Sequence, residues 1–155
     1  SPASTPSNPN GAACSHTPLA SYKGKIHDQN SAASGPRHSV DTGLADTAPL
    51  IEANITKLGF QLADIKYILI SRAHPDRAGG LATLKKDTGA QVISGAGDKP
   101  LLEGGLAERG IAPIKVDRVV GNGYKLNLVD DKVHKGGVLF VARMTPGPTP
   151  GCTSW

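Results

Sequence analysis

The residue types most suited to chemistry in this sequence are His74 and Asp76, which lie two positions apart in a polar turn. The turn follows an apolar run over 65–70 and precedes Gly79-Gly80. An imidazole and a carboxylate so close together can bind a metal ion, move a proton or simply hydrogen-bond to each other. Taken by itself, the pair favours the ordinary hydrogen bond, because a His-x-Asp pattern in a loop is a weak signal.

The elements on either side of this turn predict an α/β unit. A short, continuous apolar run such as 65–70 is typical of a buried strand, and the carboxyl ends of strands hold the ligand sites of open α/β sheets. After the turn, the pattern from Gly80 to Thr88 predicts a helix that Gly89 ends. The next residues, 91–94, predict a further strand.

The stretch before this central strand predicts another helix, which ends at Gly59. Asp46 or Thr47 is placed to cap its amino terminus. Apolar residues at helical spacing define its predicted buried face, namely Ile51, Ile55 and Leu58.

Beyond residue 94, the pattern predicts short elements and loops. Gly95 and Gly97 lack the third glycine of a dinucleotide-binding turn, so a Rossmann site is not expected. The elements predicted next are a helix over 99–108 broken at Gly104-Gly105, extended segments over 111–120, 124–129 and 138–144, and a helix-free Pro/Gly loop over 145–155.

Composition divides the chain into two predicted parts. The 155 residues include 19 Gly and 12 Pro, and residues 1–40 are rich in Ser, Pro, Asn and Gly without a lasting strand or helix period. We expect an irregular segment over 1–40 and one folded domain over 41–155. His16, His27 and His38 match no local metal motif and are expected at the surface.

Charge and hydropathy limit the classes of partner. The net charge is +4 and the pI about 9.2, but Lys and Arg are scattered, which favours a solvated basic surface over a nucleic-acid interface. No apolar run reaches the roughly 18 residues of a membrane span, and no signal peptide is recognisable, so a soluble chain is expected.

The two cysteines, Cys14 and Cys152, have no Cys-x-x-Cys spacing. They can pair only if their Cα atoms come within about 7 Å of each other, which sequence does not show. Two free thiols are expected.

Three stretches carry a resemblance to a known family: DTGLADTAPLIEANITKLGF at 41–60, ILISRAHPDRAGGLATLKKDTGA at 68–90 and TPGPTPGCTSW at 145–155. Over 41–155 the chain resembles the metallo-β-lactamase superfamily, and within it the subclass B3 β-lactamases. The resemblance implies an α/β fold that is the N-terminal half of an αββα sandwich. Two departures are that the family's opening apolar strands are not visible in 1–40 and that 127–137 looks like an insertion.

The resemblance also implies a zinc site. Family members bind two zinc ions through a His-x-His-x-Asp-His turn, a histidine in TPGHTPG and a last histidine in the C-terminal half. Such a centre lowers the pKa of a bound water towards about 7 and leaves positions open for a substrate carbonyl. Carried over by position, His74 and Asp76 are the surviving metal ligands, and Asp76 is also the candidate catalytic residue. The last histidine would lie beyond Trp155.

Three ligand positions are replaced, since Arg72, Arg77 and Pro148 stand where the resemblance places ligands. Arginine stays protonated without a lone pair to offer, and proline has no donor atom. We expect zinc to be weakly held or absent, and an ion-pair cluster in which both arginines neutralise Asp76. The alternative is that both arginines point into solvent while Asp76 caps the following helix.

The resemblance implies zinc-dependent hydrolysis of β-lactam antibiotics, which the replaced ligands are expected to impair in this chain. The alternative is a non-catalytic relative or fragment that binds a small anion, a partner chain or a second copy of itself. The family implies a periplasmic or secreted location. If the chain is nevertheless active, His27, His38 and His134 are the first candidates to complete a metal site.

Overall fold

The computed structural model describes residues 37–128 and 138–155. Four parallel strands form its main sheet, in the order β1-β2-β3-β4. Their bounds are β1 Arg37–Val40, β2 Ile65–Leu69, β3 Gln91–Gly95 and β4 Arg118–Val120. Parallel neighbours need a crossover connection, so helical segments lie between these strands along the chain. The predicted α/β class is confirmed.

The helices are short and end at glycines. Their bounds are α1 Ala48–Lys57, α2 Pro75–Ala78, α3 Leu81–Thr88 and α4 Lys99–Gly104. As predicted, Gly59 and Gly89 follow α1 and α3 with φ of 86° and 70°, a conformation that glycine adopts without strain. Within 37–128 and 138–155, no helix combines the length and the apolar composition needed to cross a membrane.

The two faces of the main sheet bury alternate residues of its strands. Ile68 and Val92 lie in one apolar cluster with the inner sides of α1 and α3. Leu69 and Ile93, one position further along, lie in a second cluster with the antiparallel hairpin β5–β6. The remaining strands are β5 Lys125–Leu128, β6 Val138–Val141, β7 Arg143–Met144 and β8 Thr153–Ser154, of which the last two pair with each other.

Two glycines, Gly95 at the end of β3 and Gly97 just after it, permit a close backbone approach that side chains would prevent. A Cβ on Gly95 would collide with the carbonyl oxygen of Gly151, and one on Gly97 would lie 2.7 Å from the Gly151 amide nitrogen. The Pro/Gly loop over 145–151 therefore passes directly against the turn that follows β3. The Gly95-Ala-Gly97 pattern has this packing role.

The structure corrects two details of the first helix. α1 begins at Ala48 without a side-chain cap hydrogen bond, so neither predicted cap is formed, and the Thr47 hydroxyl instead donates to the Leu44 carbonyl (2.8 Å). Leu58 is 50% exposed and does not join the buried Ile51 and Ile55, because the helix ends just before it.

Several predicted bounds also change. β1 lies at the end of the segment expected to be irregular, and residues 1–36 of that segment are outside the described residues. Of the extended region 111–120, only β4 joins the sheet, since Pro113 has no N–H to donate to a ladder. The helix predicted over 99–108 ends at Gly104. The polar turn over 130–137, which contains His134, is outside the described residues.

Two predictions for single residues are wrong. His38 lies half-buried on β1, with its ring 4.4 Å from that of Phe140 in an edge-on contact, so it is not a surface histidine. Cys152 is buried and disulfide-bonded and is not a free thiol. Cys14 lies outside the described residues. Both outcomes depend on contacts between distant parts of the chain, which local spacing does not show.

We expect Gly95→Ala to lower the free energy of unfolding by about 1 to 3 kcal/mol, because its Cβ must displace the backbone of Gly151. Gly104→Ala is the matched control, since a Cβ there meets nothing within 4 Å and lies at the end of α4. Alanine should leave stability unchanged there or raise it by up to about 1 kcal/mol. Urea denaturation of both variants measures the difference, and equal effects would contradict the close approach.

Candidate functional site

The turn that carries His74 and Asp76 is positioned by the end of β2. The Ile70 amide still donates to the Ile93 carbonyl on β3 (2.9 Å), after which the chain turns and α2 begins at Pro75. Proline suits the first helical position because its φ is already helical and its missing N–H has no partner there. His74 is half-buried, whereas the Asp76 side chain is 54% exposed. Both residues follow the carboxyl end of a parallel strand, as predicted.

Asp76 lies between two arginines. Its Oδ2 is 3.6 Å from Nη2 of Arg72 and 3.3 Å from Nε of Arg77. The arginine side chains are only 16% and 12% exposed, so neither points into solvent. Neither α2 nor α3 has a side-chain cap hydrogen bond, so Asp76 caps no helix. Both arginines therefore contact Asp76 as ion-pair partners, and both do so through Oδ2 of its carboxylate.

A buried carboxylate, Asp41, extends this cluster into the protein. It is 1% exposed, and its two oxygens accept hydrogen bonds from the amide and the hydroxyl of Ser71, both at 2.7 Å. Nη1 of Arg77 lies 3.3 Å from Oδ2 of Asp41, so Arg77 bridges Asp41 and Asp76. Burial raises the pKa of Asp41, while the Ser71 hydrogen bonds and the Arg77 charge act in the opposite direction.

The sequence pattern alone does not mark Asp41 as a site residue, although its position holds a signal. Asp41 directly follows β1, and adjacent parallel strands end at the same edge of a sheet. The next residue, Thr42, donates to the Arg77 carbonyl from both its amide (2.7 Å) and its hydroxyl (2.8 Å). Asp41 and Thr42 therefore fix the guanidinium and the backbone of Arg77 together.

A second buried carboxylate, Asp98, joins the His74 turn to the loop over 145–151. Asp98 is 1% exposed and ends the 3-10 turn that follows β3. Its Oδ2 accepts hydrogen bonds from the Ala73 amide (2.9 Å) and the Thr149 hydroxyl (2.7 Å), and its Oδ1 accepts one from the Gly151 amide (2.8 Å). No local motif marks Asp98, because these partners are 25, 51 and 53 residues away.

Pro148 reaches this region through the same link. It is exposed and directly precedes Thr149, whose hydroxyl bonds to Asp98. The Thr153 amide on β8 also donates to the Ser71 carbonyl (2.7 Å), which attaches the strand after the loop to the turn after β2. The structure therefore places all the sequence-predicted site positions on two stretches that the protein joins: Arg72, His74, Asp76 and Arg77 on one, and Pro148 on the other.

The residues present do not fit the zinc centre that the resemblance implies. In the described part of the chain, no three His, Cys, Asp or Glu side chains cluster closely enough to hold a metal ion. Of the predicted site positions, only His74 and Asp76 offer a lone pair, and the Asp76 carboxylate is already ion-paired with two guanidinium groups. Of the other candidate histidines, His38 packs against a ring on β6, and His27 and His134 lie outside the described residues.

Comparison with known proteins now identifies the family. Residues 40–155 match the family model of the metallo-beta-lactamase superfamily, Lactamase_B. The chain belongs to the metallo-β-lactamase superfamily. Its parallel sheet, covered by helices on one face and by a hairpin on the other, agrees with part of that family's α/β sandwich.

Similar solved structures include a subclass B3 metallo-β-lactamase of Bradyrhizobium japonicum, 42% identical with a TM-score of 0.65, matched over 75% of this chain and 44% of that one. A metallo-β-lactamase from Cronobacter sakazakii with a HARLDQ motif is 36% identical with a TM-score of 0.64, over 75% and 42% of the two chains. A curated relative, the hydroxyacylglutathione hydrolase of Albidiferax ferrireducens, is 37% identical over 75 residues, or 48% of this chain and 25% of that protein. The chain thus spans less than half the length of these relatives.

The raised pKa of Asp41 predicts how stability depends on pH. The folded state holds the proton of the Asp41 carboxyl group more tightly than the unfolded state does. The stability that this proton contributes is therefore complete below about pH 3.9 and is lost as the pH rises through the raised pKa of the folded state. Urea denaturation at several pH values from 4 to 7 should therefore show the chain losing stability relative to Asp41→Asn as the pH rises. If the chain instead gains stability relative to Asp41→Asn as the pH rises, attraction to Arg77 outweighs burial in setting the pKa of Asp41.

Proposed function

We propose that this chain is a subclass B3-like metallo-β-lactamase domain in which an arginine–aspartate cluster takes the place of the zinc centre. The observation that carries the proposal is the position of Asp76 between Arg72 and Arg77. β-Lactams are the substrate class that the subclass B3 relative suggests. We expect this chain to hydrolyse them at or near the uncatalysed rate.

Electrostatics disfavours a divalent cation beside Asp76. Two guanidinium groups keep their charge at neutral pH and repel the ion, while each attracts the carboxylate that a metal would need. Arg77 is also held in place, since it is 12% exposed and bridges to the buried Asp41. Zinc beside Asp76 would therefore have to displace a guanidinium group that the buried Asp41 holds close to this carboxylate.

A relative supports the view that this turn tolerates an arginine. The Cronobacter sakazakii enzyme is described by the motif HARLDQ, which contains one arginine and one glutamine. Residues 72–77 of this chain read RAHPDR and share the alanine and the aspartate of that motif. The chain differs by carrying arginines at the first and last of the six positions, on either side of its histidine and aspartate.

A second candidate substrate class comes from the curated relative in Albidiferax ferrireducens, whose name denotes hydrolysis of hydroxyacylglutathione, a thioester. The match is 37% identical over 75 residues, which is enough to make thioesters worth testing beside β-lactams. Metal-dependent hydrolysis of such a thioester, with none of a cephalosporin, would favour this candidate over the first.

Small-anion binding is the non-catalytic alternative, and the same cluster motivates it. Arg72 and Arg77 both contact the exposed carboxylate of Asp76, at 3.6 and 3.3 Å. A ligand carboxylate could compete with Asp76 for these guanidinium groups through charge-assisted hydrogen bonds. Binding of a β-lactam without turnover, lost in Arg72→Gln, would support this alternative.

We expect the unmodified chain to hydrolyse a chromogenic cephalosporin at the background rate, with or without added zinc. A metal centre in this family supplies several kcal/mol of barrier lowering, and attraction of the substrate carboxylate by arginine lowers no chemical barrier. Restoring histidines through Arg72→His, Arg77→His and Pro148→His should produce zinc binding in a calorimetric titration before it produces turnover.

A control for this experiment places three histidines at exposed positions away from the turn, through Lys57→His, Lys86→His and Pro100→His. This control should not acquire tight zinc binding. Chelator-sensitive hydrolysis by the unmodified chain would overturn the proposal, because it would show that other residues complete a working metal site.

A further inference from the structure

The loop over 145–151 is attached to the His74 turn by groups of the protein alone, and Asp98 is at the centre of that attachment. Its carboxylate accepts a hydrogen bond from the amide of Ala73, the residue directly before His74. It also accepts two from the loop, from the Thr149 hydroxyl and the Gly151 amide. All three distances lie between 2.7 and 2.9 Å. Hydrogen bonds of this length to a carboxylate are among the stronger ones in proteins.

Asp98 differs from Asp41 in how its charge is compensated. Asp41 has an arginine partner, whereas in the described part of the chain Asp98 forms no ion pair within 4.0 Å and is stabilised by neutral donors. A carboxylate that is 1% exposed is costly to bury unless such donors are fixed in place. The three donors and the carboxylate therefore hold one another in position.

The backbone around Asp98 packs directly against the loop. A Cβ on Gly97 would lie 2.7 Å from the Gly151 amide nitrogen, and a Cβ on Gly151 would collide with the backbone of Asp98 itself. The loop thus lies in direct backbone contact with the turn after β3, where the Asp98 carboxylate can reach across to Ala73. These contacts involve neither arginine of the cluster.

We propose that Asp98 is a positioning residue, whose carboxylate fixes the loop carrying Pro148 on the turn carrying His74 without any metal ion. The loop and the turn then stay together even though Arg72, Arg77 and Pro148 have replaced metal ligands. The inference goes beyond the proposed function, which concerns what the two arginines do to metal binding and catalysis.

The direct test is residue-resolved amide hydrogen exchange in the unmodified chain and in Asp98→Asn. Ala73 and Gly151 donate to different oxygens of Asp98, and asparagine keeps only one acceptor oxygen, so at least one of these two amides should exchange at least about tenfold faster, a factor that corresponds to about 1.4 kcal/mol. The Val92 amide, which donates to Asp117 (2.8 Å), should change less than about twofold, in keeping with a local opening.

Asp117→Asn is the matched control, because Asp117 also joins distant elements through its carboxylate but lies away from the loop. It should accelerate exchange at Val92 and leave Ala73 and Gly151 unchanged. Equal acceleration of all three amides in Asp98→Asn would overturn the inference, since it would show a general loss of stability. Unchanged exchange at Ala73 and Gly151 would overturn it as well.

If Asp98→Asn does not fold, Thr149→Val provides the same test in a milder form. It removes only the 2.7 Å bond from the Thr149 hydroxyl, at a site that is 4% exposed. Exchange at Gly151 should again accelerate more than exchange at Val92. No difference between the two amides would overturn the inference.

A second arm separates this inference from the proposed function. In the chain carrying Arg72→His, Arg77→His and Pro148→His, adding Asp98→Asn should weaken zinc affinity at least about tenfold, as loss of groups that orient ligands commonly does. Adding Asp117→Asn should not weaken it. If the three histidines bind no zinc, the ligand assignment fails, and the exchange result still decides the role of Asp98.

Discussion

Two carboxylates at the carboxyl edge of the parallel sheet are shielded from water, so each must be hydrogen-bonded or neutralised by other groups of the protein. Asp41 and Asp98 are both 1% exposed and follow β1 and β3, on either side of the strand that leads into the His74 turn. One is satisfied by Ser71 and Arg77, and the other by three neutral donors. These hydrogen bonds hold the His74 turn, which lies between the two carboxylates, in its conformation.

The two carboxylates have different consequences for the site. Asp41 holds Arg77 where the resemblance places a metal ligand, and Arg77 in turn contacts Asp76, so the arginine is part of the fold as well as of the site. Asp98 keeps the two ligand-bearing stretches together without involving either arginine. Under the proposed function, the protein keeps these two stretches joined while the arginines beside Asp76 disfavour a metal ion.

Local patterns predicted the elements that depend on local physics. The apolar run of β2, and the glycine that ends α3, are recognisable because strand burial and the left-handed conformation are set by neighbouring residues. Asp98 was not predicted, because its partners are 25 to 53 residues away and no spacing rule connects them. Leu58 was predicted wrongly because helical spacing does not show where the helix ends.

Anomalous diffraction at the zinc edge, from crystals soaked with excess zinc, shows whether guanidinium groups occupy the place of the metal at Asp76. We predict no anomalous peak beside His74 or Asp76, with Arg77 still within ion-pair distance of both Asp41 and Asp76. A zinc ion coordinated by His74 and Asp76, with Arg77 displaced from the cluster, would show that the arginines do not take the place of the metal.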